Sequence, residues 1–385
     1  MKRSQKGNPL YLQIALELKE RIDSGEWSYG ALLPSEYELC DVYDVSRGTV
    51  RQVLALLKDE GYIRRERGKG TFVARTGVQP NRKRITSQSI SFVVPYVRDS
   101  FVSSILLGLE NKARENGFTI VFHHVENDLD QQASALRKAV QQDVAGIVLY
   151  PVNSTIASPT LNNLVKKRYP LVLVDRYIRG LYSDYVVSDN FSGGVFATQH
   201  LLALGHRRIA FLSWIEMATS MEHRHLGYRQ TLIEAGIEPD PDLEWEVVGY
   251  PDIDRKAIRE HLLQPNRPTA IFAANDQLAL AVQNVAQALK IVIPNELVLV
   301  GFDNLDFSMN LDVPLTTVAQ SPYDMGRTAG ELILCQIKEG NDCTQRRVLP
   351  VQLIIRSSCG GGDGGFVSRK IIKGGETEAI EKNET

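Results

Sequence analysis

Long apolar runs are missing from this sequence of 385 residues. No stretch reaches the roughly 18 apolar residues that a membrane-spanning helix needs. The basic start, Met1 to Gly7, lacks the apolar centre of a secretory signal. Cysteine is scarce as well: Cys40, Cys335, Cys343 and Cys359 include no Cys-x-x-Cys pair. That argues against a disulfide framework or a thiolate metal site, and for free thiols in a reducing cytoplasm. Catalytic signatures are also absent. The chain has no Gly-x-x-x-x-Gly-Lys-[Ser/Thr] phosphate loop, no Gly-x-Ser-x-Gly elbow and no His-Glu-x-x-His helix. An enzyme, a metal and a cofactor are therefore not expected, although aspartates at strand ends keep a DNA-tethered hydrolase or kinase conceivable.

What is present is divided by charge. The net charge is only −2, yet residues 1–88 hold 16 Lys and Arg against 11 Asp and Glu, leaving 28 against 35 in the rest. A basic front on an acidic body suits a nucleic-acid reader joined to another module. With 43% hydrophobic and 23% charged residues the composition is that of a folded globular chain, long enough for two or three domains.

Residues 1–75 read as one DNA-docking unit. Tyr11–Lys19 is amphipathic, and the chain turns near Gly25. Ser35-Glu36-Tyr37-Glu38 has the spacing of a capping box and starts a helix. Asp44-Val45-Ser46-Arg47 is a turn in which Ser46 caps a second helix, with Val50, Val53, Leu54 and Leu57 on its inner face. Leu39, Cys40 and Val42 are read as core. Gly61 ends the helix, and Tyr62–Val73 reads as two strands around a Gly68-Lys69-Gly70 turn. Arg47, Thr49 and Arg51 then face solvent at the end a helix-turn-helix presents to the major groove, where arginine reads guanine. The candidate DNA contacts are Ser35, Ser46, Arg47, Thr49, Arg51, Gly68, Lys69 and Gly70. Residues 76–88 have the composition of a linker and carry Arg82-Lys83-Arg84.

From residue 89 to 358 short apolar runs alternate with helical patterns. The expected strands include Ile90–Val94, Gly146–Leu149, Leu171–Val174, Ile209–Leu212, Ala270–Ala273 and Leu297–Gly301. That alternation argues for parallel sheets with right-handed crossovers, arranged as two lobes. Asp175, Arg224, Asn275, Asp303 and Gln320 follow strand ends or open helices, which sends them to the crevice outside the sheets' carboxyl ends. Carboxylates, guanidinium and carboxamides together suit a polyol, and Phe101 or Tyr250 offers a face for a sugar ring. Arg176 is either a further ligand contact or a salt bridge across the lobes. Asp276 reads as a helix cap, and Asp189-Asn190 as a turn or a ligand contact. His223 and His225 flank Arg224 but lack a third metal ligand. The Gly-rich, charged segment 359–385 reads as a disordered tail.

Two resemblances add to this reading. Pro9-Leu10-Tyr11, Leu33-Pro34-Ser35-Glu36, Val45-Ser46-Arg47-x-Thr49-Val50-Arg51 and Gly68-x-Gly70-Thr71-Phe72-Val73 resemble the gluconate-repressor (GntR) winged helix. That implies DNA contacts by Ser46, Arg47, Thr49, Arg51 and Gly68. Tyr37 departs from the arginine that many members carry there. Val174-Asp175-Arg176, Arg224-x-x-Gly227-Tyr228, Ala274-Asn275-Asp276, Gly301-Phe302-Asp303 and Thr316-Thr317-Val318-x-Gln320 resemble the LacI/GalR sensor region, with its type I periplasmic-binding-protein fold. That resemblance implies Asp175, Arg224, Asn275 and Asp303 as ligand contacts.

The resulting expectation is an α/β protein: an N-terminal winged helix-turn-helix plus a two-lobed type I periplasmic-binding-protein-like domain with parallel sheets. The pairing resembles the arabinose-repressor family. It implies a cytoplasmic, homodimeric repressor of a sugar-utilisation operon that binds double-stranded operator DNA and releases it on binding a small sugar, L-arabinose first. An activator, a corepressor-dependent regulator, and a sensor of a purine or another sugar would use the same layout.

Overall fold

A computed structural model describes residues 10–23, 26–27, 30–59, 62–66, 70–74, 87–97, 99–152, 156–215, 218–248, 253–339 and 344–360. The chain divides into two compact units, Met1–Thr86 and Ser87–Thr385. The segment read as linker lies outside the described residues apart from Ser87 and Gln88, and the segment 359–385 read as a disordered tail lies outside them apart from Cys359 and Gly360. Cys359 corrects that boundary, since it is buried in the second lobe with its sulfur 3.0 Å from Thr316 Oγ1.

The first unit contains helices α1 (Leu10–Asp23), α2 (Glu36–Tyr43) and α3 (Arg47–Asp59), then strands β1 (Ile63–Glu66) and β2 (Gly70–Val73). Ser35 caps α2 through a reciprocal capping box: Glu38 N–H donates to Ser35 Oγ at 3.3 Å and Ser35 N–H donates to Glu38 Oε2 at 2.7 Å. Asp44 ends α2 in the left-handed region at φ 49°. Ser46 then accepts from Thr49 N–H at 3.3 Å, so one hydroxyl opens α3. Ile14, Leu18 and Ile22 of α1 meet Val50, Val53 and Leu57 of α3 in a core closed by Tyr62, Ile63 and Val73. Residues 31–33 add a short third run to the antiparallel hairpin, with Leu33 N–H donating to Thr71 and Val73 N–H to Ala31. Val42 does not join this core and is 64% exposed. The inward stripe of the eight-residue α2 runs through Leu39, Cys40 and Tyr43, and Val42 lies to one side of it.

The second unit runs, in chain order, β3 (Ser89–Val94), α4 (Ser100–Glu115), β4 (Thr119–His124), α5 (Leu129–Gln141), β5 (Gly146–Leu149), α6 (Pro159–Lys166), β6 (Leu171–Val174), β7 (Asp184–Ser188) and α7 (Asn190–Ala203). It continues with β8 (Ile209–Trp214), α8 (Thr219–Glu234), β9 (Glu244–Val247), α9 (Arg255–Leu262), β10 (Ala270–Ala273), α10 (Asp276–Ala288), β11 (Val298–Asp303), β12 (Thr316–Ala319), α11 (Pro322–Glu339), β13 (Arg346–Leu349) and β14 (Gln352–Ile354). Two six-stranded sheets result, ordered β13-β7-β6-β5-β3-β4 and β14-β12-β11-β10-β8-β9. The orders are equivalent, so the two lobes share a doubly wound plan with its switch point beside β3 and β8. Pairing is parallel except for β14, which runs antiparallel to β12 at an edge. β5, β6 and β10 are buried at every residue, as strands covered on both faces must be, and this explains their unbroken apolar sequence.

The chain passes between lobes three times: from β7 to α7, from β12 to α11, and from β13 to β14. The helix α11 therefore packs with the first lobe, beside Ile105, Leu109 and Val172. Glycines set the closest helix contacts in each lobe. A Cβ on Gly326 of α11 would lie 1.9 Å from the Ile105 carbonyl oxygen of α4, and one on Gly194 of α7 would lie 2.2 Å from the Arg224 carbonyl oxygen of α8.

Backbone cannot yield as a side-chain tip can. Gly326→Ala and Gly194→Ala are each expected to destabilise the protein by about 1–3 kcal/mol, the range for overpacking. Urea unfolding followed by circular dichroism measures this, and an unchanged midpoint for either variant contradicts the packing account.

Candidate functional site

A cleft joins the two lobes. One lobe contributes Tyr96, Asp99, Phe101, Tyr150, Asp175 and Arg176, and the other Ser220, Met221, Arg224, Asn275, Gln277 and Asp303. Tyr96 follows β3, Tyr150 follows β5 and Asp175 follows β6, while Asn275 follows β10 and Asp303 ends β11. The strands' carboxyl ends thus supply the chemistry, as open α/β sheets dictate. Free space among these side chains is only about 30 Å³.

Arg224 is the most constrained of them. It is 3% exposed. Its guanidinium donates to Asn190 Oδ1 at 2.8 Å, to the Ala274 carbonyl at 2.6 Å and to Asp303 Oδ1 at 3.2 Å. It also lies 3.6 Å from the Phe302 ring centroid. Gln320 Nε2 donates to the same Asp303 oxygen at 2.7 Å, which places Gln320 behind Asp303 rather than among the lining residues. On the facing lobe Arg176 Nε donates to Asp175 at 3.0 Å and Arg176 Nη2 to Tyr150 Oη at 2.9 Å. Arg176 therefore pairs with its chain neighbour inside its own lobe, and the alternative of a cross-lobe bridge is corrected: Nε is taken by the adjacent carboxylate and Nη2 by the tyrosine hydroxyls of the same lobe.

Other contacts do cross. Thr219 Oγ1 accepts from Tyr177 N–H at 3.1 Å and donates to the Tyr177 carbonyl at 2.9 Å. Arg179 pairs with Glu222 at 2.9 Å, and Tyr177 Oη meets His223 Nε2 at 3.2 Å. His225 instead approaches Glu244 at 3.2 Å, so the two histidines serve different neighbours. Among the described residues no group of three or more His, Cys, Asp or Glu side chains could hold a metal ion.

Carboxylates outnumber guanidinium groups at this cleft. Burial, partly offset by Arg224 and reinforced by Asp276, Asp175 and Asp99, holds the Asp303 carboxyl well above its ordinary range. Burial likewise raises Asp99, whose side chain caps α4 by accepting from Phe101 N–H. Beneath the cleft Asp276 is fully buried, accepting from Thr317 Oγ1 at 2.6 Å and Leu305 N–H at 2.8 Å. It does not cap α10. Asn275 does, accepting from Leu278 N–H at 2.9 Å, because a cap must sit one residue outside the helix. Asp189 similarly caps α7 while Asn190 carries Arg224. Phe101, Asp175, Arg176, Arg224, Asn275 and Asp303 thus come together, and Tyr250 lies outside the described residues. Sequence reasoning passed over Tyr96 and Tyr150, although both lie within two residues of the end of an apolar strand run, and passed over Asn190 as the partner of Arg224.

On the first unit a second polar cluster gathers around Glu36. Arg47 Nε and Arg51 Nε each donate to Glu36 Oε2 at 3.3 Å, and Arg65 Nη2 donates to Oε1 at 2.9 Å. Thr49 Oγ1 and Ser46 Oγ are 3.0 Å apart. Ser35 is occupied as the α2 cap, Gly70 begins β2, and Gly68 and Lys69 lie outside the described residues. The arrangement exposes arginines from α3 and β1 on a single face.

Two family profiles match the chain: "Bacterial regulatory proteins, gntR family" over residues 10–73, and "Periplasmic binding protein-like domain" over 198–359. The chain joins a gntR-family DNA-binding domain to a periplasmic-binding-protein-like domain. It is 28% identical to the arabinose metabolism transcriptional repressor of Geobacillus stearothermophilus over 364 residues, covering 92% of this chain and 98% of the relative. A CelR transcriptional regulator–cellobiose complex superposes with a TM-score of 0.65 at 26% identity, covering 85% of this chain and 100% of that one. A LacI-family regulator from Enterococcus faecium with bound ribose gives 0.61 at 26% identity, covering 70% and 98%. These homologues are transcriptional regulators, not enzymes.

Asp276 yields a pH-dependent outcome. Burial, against the hydrogen bonds of Thr317 and Leu305, pushes its carboxyl up to about 7 from an ordinary 3.8. The folded state then binds more protons than the unfolded state between those values, so this group's contribution to stability falls as pH rises through that window and is flat above it. Asp276→Asn removes the titration. Its stability relative to the parent is expected to increase from about pH 4 to 8 by on the order of 1–4 kcal/mol. Parallel pH–stability curves in denaturant would refute this.

Proposed function

We propose that the protein is a sugar-responsive transcriptional repressor, with operator DNA bound by α3 and the β1–β2 hairpin and a small sugar bound in the interlobe cleft. One observation carries the effector half: both lobes contribute hydrogen-bonding side chains, and the first lobe aromatic ones as well, to a single cleft at the carboxyl ends of the strands. Vicinal hydroxyls suit that set, since each can donate to a carboxylate and accept from an arginine or carboxamide. Phe101 or Tyr150 offers an apolar ring face. L-arabinose is the first choice of effector, a reading supported by the full-length likeness to an arabinose metabolism repressor.

In this reading the sugar competes for bonds that Arg176, Asp175, Arg224 and Asp303 now make with one another. A ligand shifts a conformational equilibrium only by its differential affinity for the two states. Sugar contacts from both lobes favour one interlobe angle, and the three crossings transmit that choice to the segment leading to the DNA-binding unit. A homodimer would present two such units to a palindromic operator.

The experiment pairs a thermal-shift titration of L-arabinose, D-ribose and cellobiose with a mobility shift on the cognate operator. The expected outcome is a rise in melting temperature with L-arabinose and release of operator at saturating sugar. Asp175 adopts a positive φ of 67°, a conformation asparagine tolerates, so Asp175→Asn should fold normally. That variant should bind the sugar at least about tenfold more weakly, the scale of one lost charge-assisted hydrogen bond, and keep its sugar-free operator affinity. Operator binding that ignores saturating L-arabinose overturns the arabinose assignment.

A further inference from the structure

The DNA-binding unit holds its arginines in an unusual way. Glu36 is 10% exposed in its side chain although it opens α2, because Arg47, Arg51 and Arg65 converge on it. Three positive charges meet one negative charge, so the cluster keeps a cationic surplus toward solvent. Arg51 and Arg65 meet Glu36 alone among the partners described above. Arg47 has a second holder: its Nη1 donates to Tyr37 Oη at 3.0 Å, and its guanidinium carbon lies 4.4 Å from the Tyr37 ring centroid.

Tyr37 has no core role to explain this. It is 63% exposed, while its neighbours in α2 supply the inward stripe. The phenol therefore fixes one arginine from outside, by a ring face and a hydroxyl at once. With Nε on Glu36, Nη1 on the Tyr37 hydroxyl and one face on the ring, the guanidinium is fixed so that Nη2 points outward to donate, and a guanine O6 or N7 is what such a donor pairs with. Neither Arg51 nor Arg65 receives such a stack among the described contacts. An arginine in place of Tyr37 would repel Arg47 and set its edge elsewhere.

Resting on the proposed reading of α3 as the groove-facing helix, we propose that Tyr37 is a positioning residue that sets which base pair Arg47 reads. It thereby determines sequence specificity without supplying charge.

The test is selection of bound duplexes from a randomised pool by the full-length protein, its Tyr37→Phe, Tyr37→Ala and Tyr37→Arg variants, and Arg47→Ala. Tyr37→Ala is expected to relax preference at the same base pair of each half-site that Arg47→Ala relaxes. The loss should be roughly two- to fivefold, the size of an exposed cation–π contact. Tyr37→Phe, which keeps the stack and loses the hydroxyl, should fall between it and the parent. Tyr37→Arg should change the preferred base there. The salt dependence of binding should not change for Tyr37→Ala or Tyr37→Phe, since no phosphate-neutralising charge is removed. A uniform loss of affinity across sequences, or unchanged preference in Tyr37→Ala while Arg47→Ala relaxes it, overturns the inference and leaves the repressor reading intact. A parent protein that enriches no sequence overturns the repressor reading itself.

Discussion

A buried guanidinium organises the second lobe. Arg224 is almost fully enclosed, and an enclosed charge without partners costs several kcal/mol. Its partners come from three places: the first residue of α7, the end of β10 and the end of β11. Each of these must be held where it can accept, so one side chain fixes the rim of the cleft. Gly194 and Gly227 belong to the same requirement, because a Cβ at either would strike the backbone of the facing helix and push α8 away from α7. The spacing of Arg224 and Gly227, one helical turn apart, therefore couples the packing of the helix to the placement of its charge.

The first lobe repeats the solution with different residues. Gly108 and Gly326 bring α4 and α11 together as Gly194 and Gly227 bring α7 and α8. Equivalent strand orders turn the carboxyl ends of both sheets into the two banks of a single cleft. The arginine on that bank, Arg176, is held by Asp175 and Tyr150 in place of Asp303 and Asn190. The second lobe's core closes on its own, whereas the first lobe's main cluster takes in Leu305, with Phe307 packed against it, from the segment after β11. The Thr219–Tyr177 pair is among the contacts that span the two lobes.

Much of this was legible in the residues. Unbroken apolar runs such as Leu171–Val174 and Ala270–Ala273 mark strands buried on both faces, and both are central in their sheets. Ser35 and Glu38 carry their own geometry, because a capping box is local. The gaps have physical causes. The edge strands β13 and β14 are short and partly exposed, so no run or alternation announces them. The helix α11 was not read at all: its burial is set by packing on the first lobe, at the far side of a chain crossing that local sequence does not encode. Asp276 looked like a cap because aspartate is common there, and only the fold shows Thr317 and Leu305 converging on it. Asn190 and Arg224 are 34 residues apart, and nothing in either position names the other.

Both proposed faces share one electrostatic habit, which bears on how they would select ligands. Their arginines are already paired with carboxylates: Arg176 with Asp175, Arg224 with Asp303, and Arg47, Arg51 and Arg65 with Glu36. A ligand must exchange these bonds for its own, so the net gain per contact is a small difference between two strong interactions. Poor geometry then turns binding unfavourable quickly, because a displaced carboxylate left unpaired in a buried site is costly. At the cleft this favours a neutral polyol. Its hydroxyls can satisfy arginine and carboxylate together, whereas an anion would add charge to a site where Asp303 and Asp99 already resist ionisation. At the proposed DNA face the balance is reversed. A single glutamate cannot neutralise three guanidinium groups, so a polyanion can displace it from the more exposed arginines while Glu36, less exposed than any of them, stays to orient what remains.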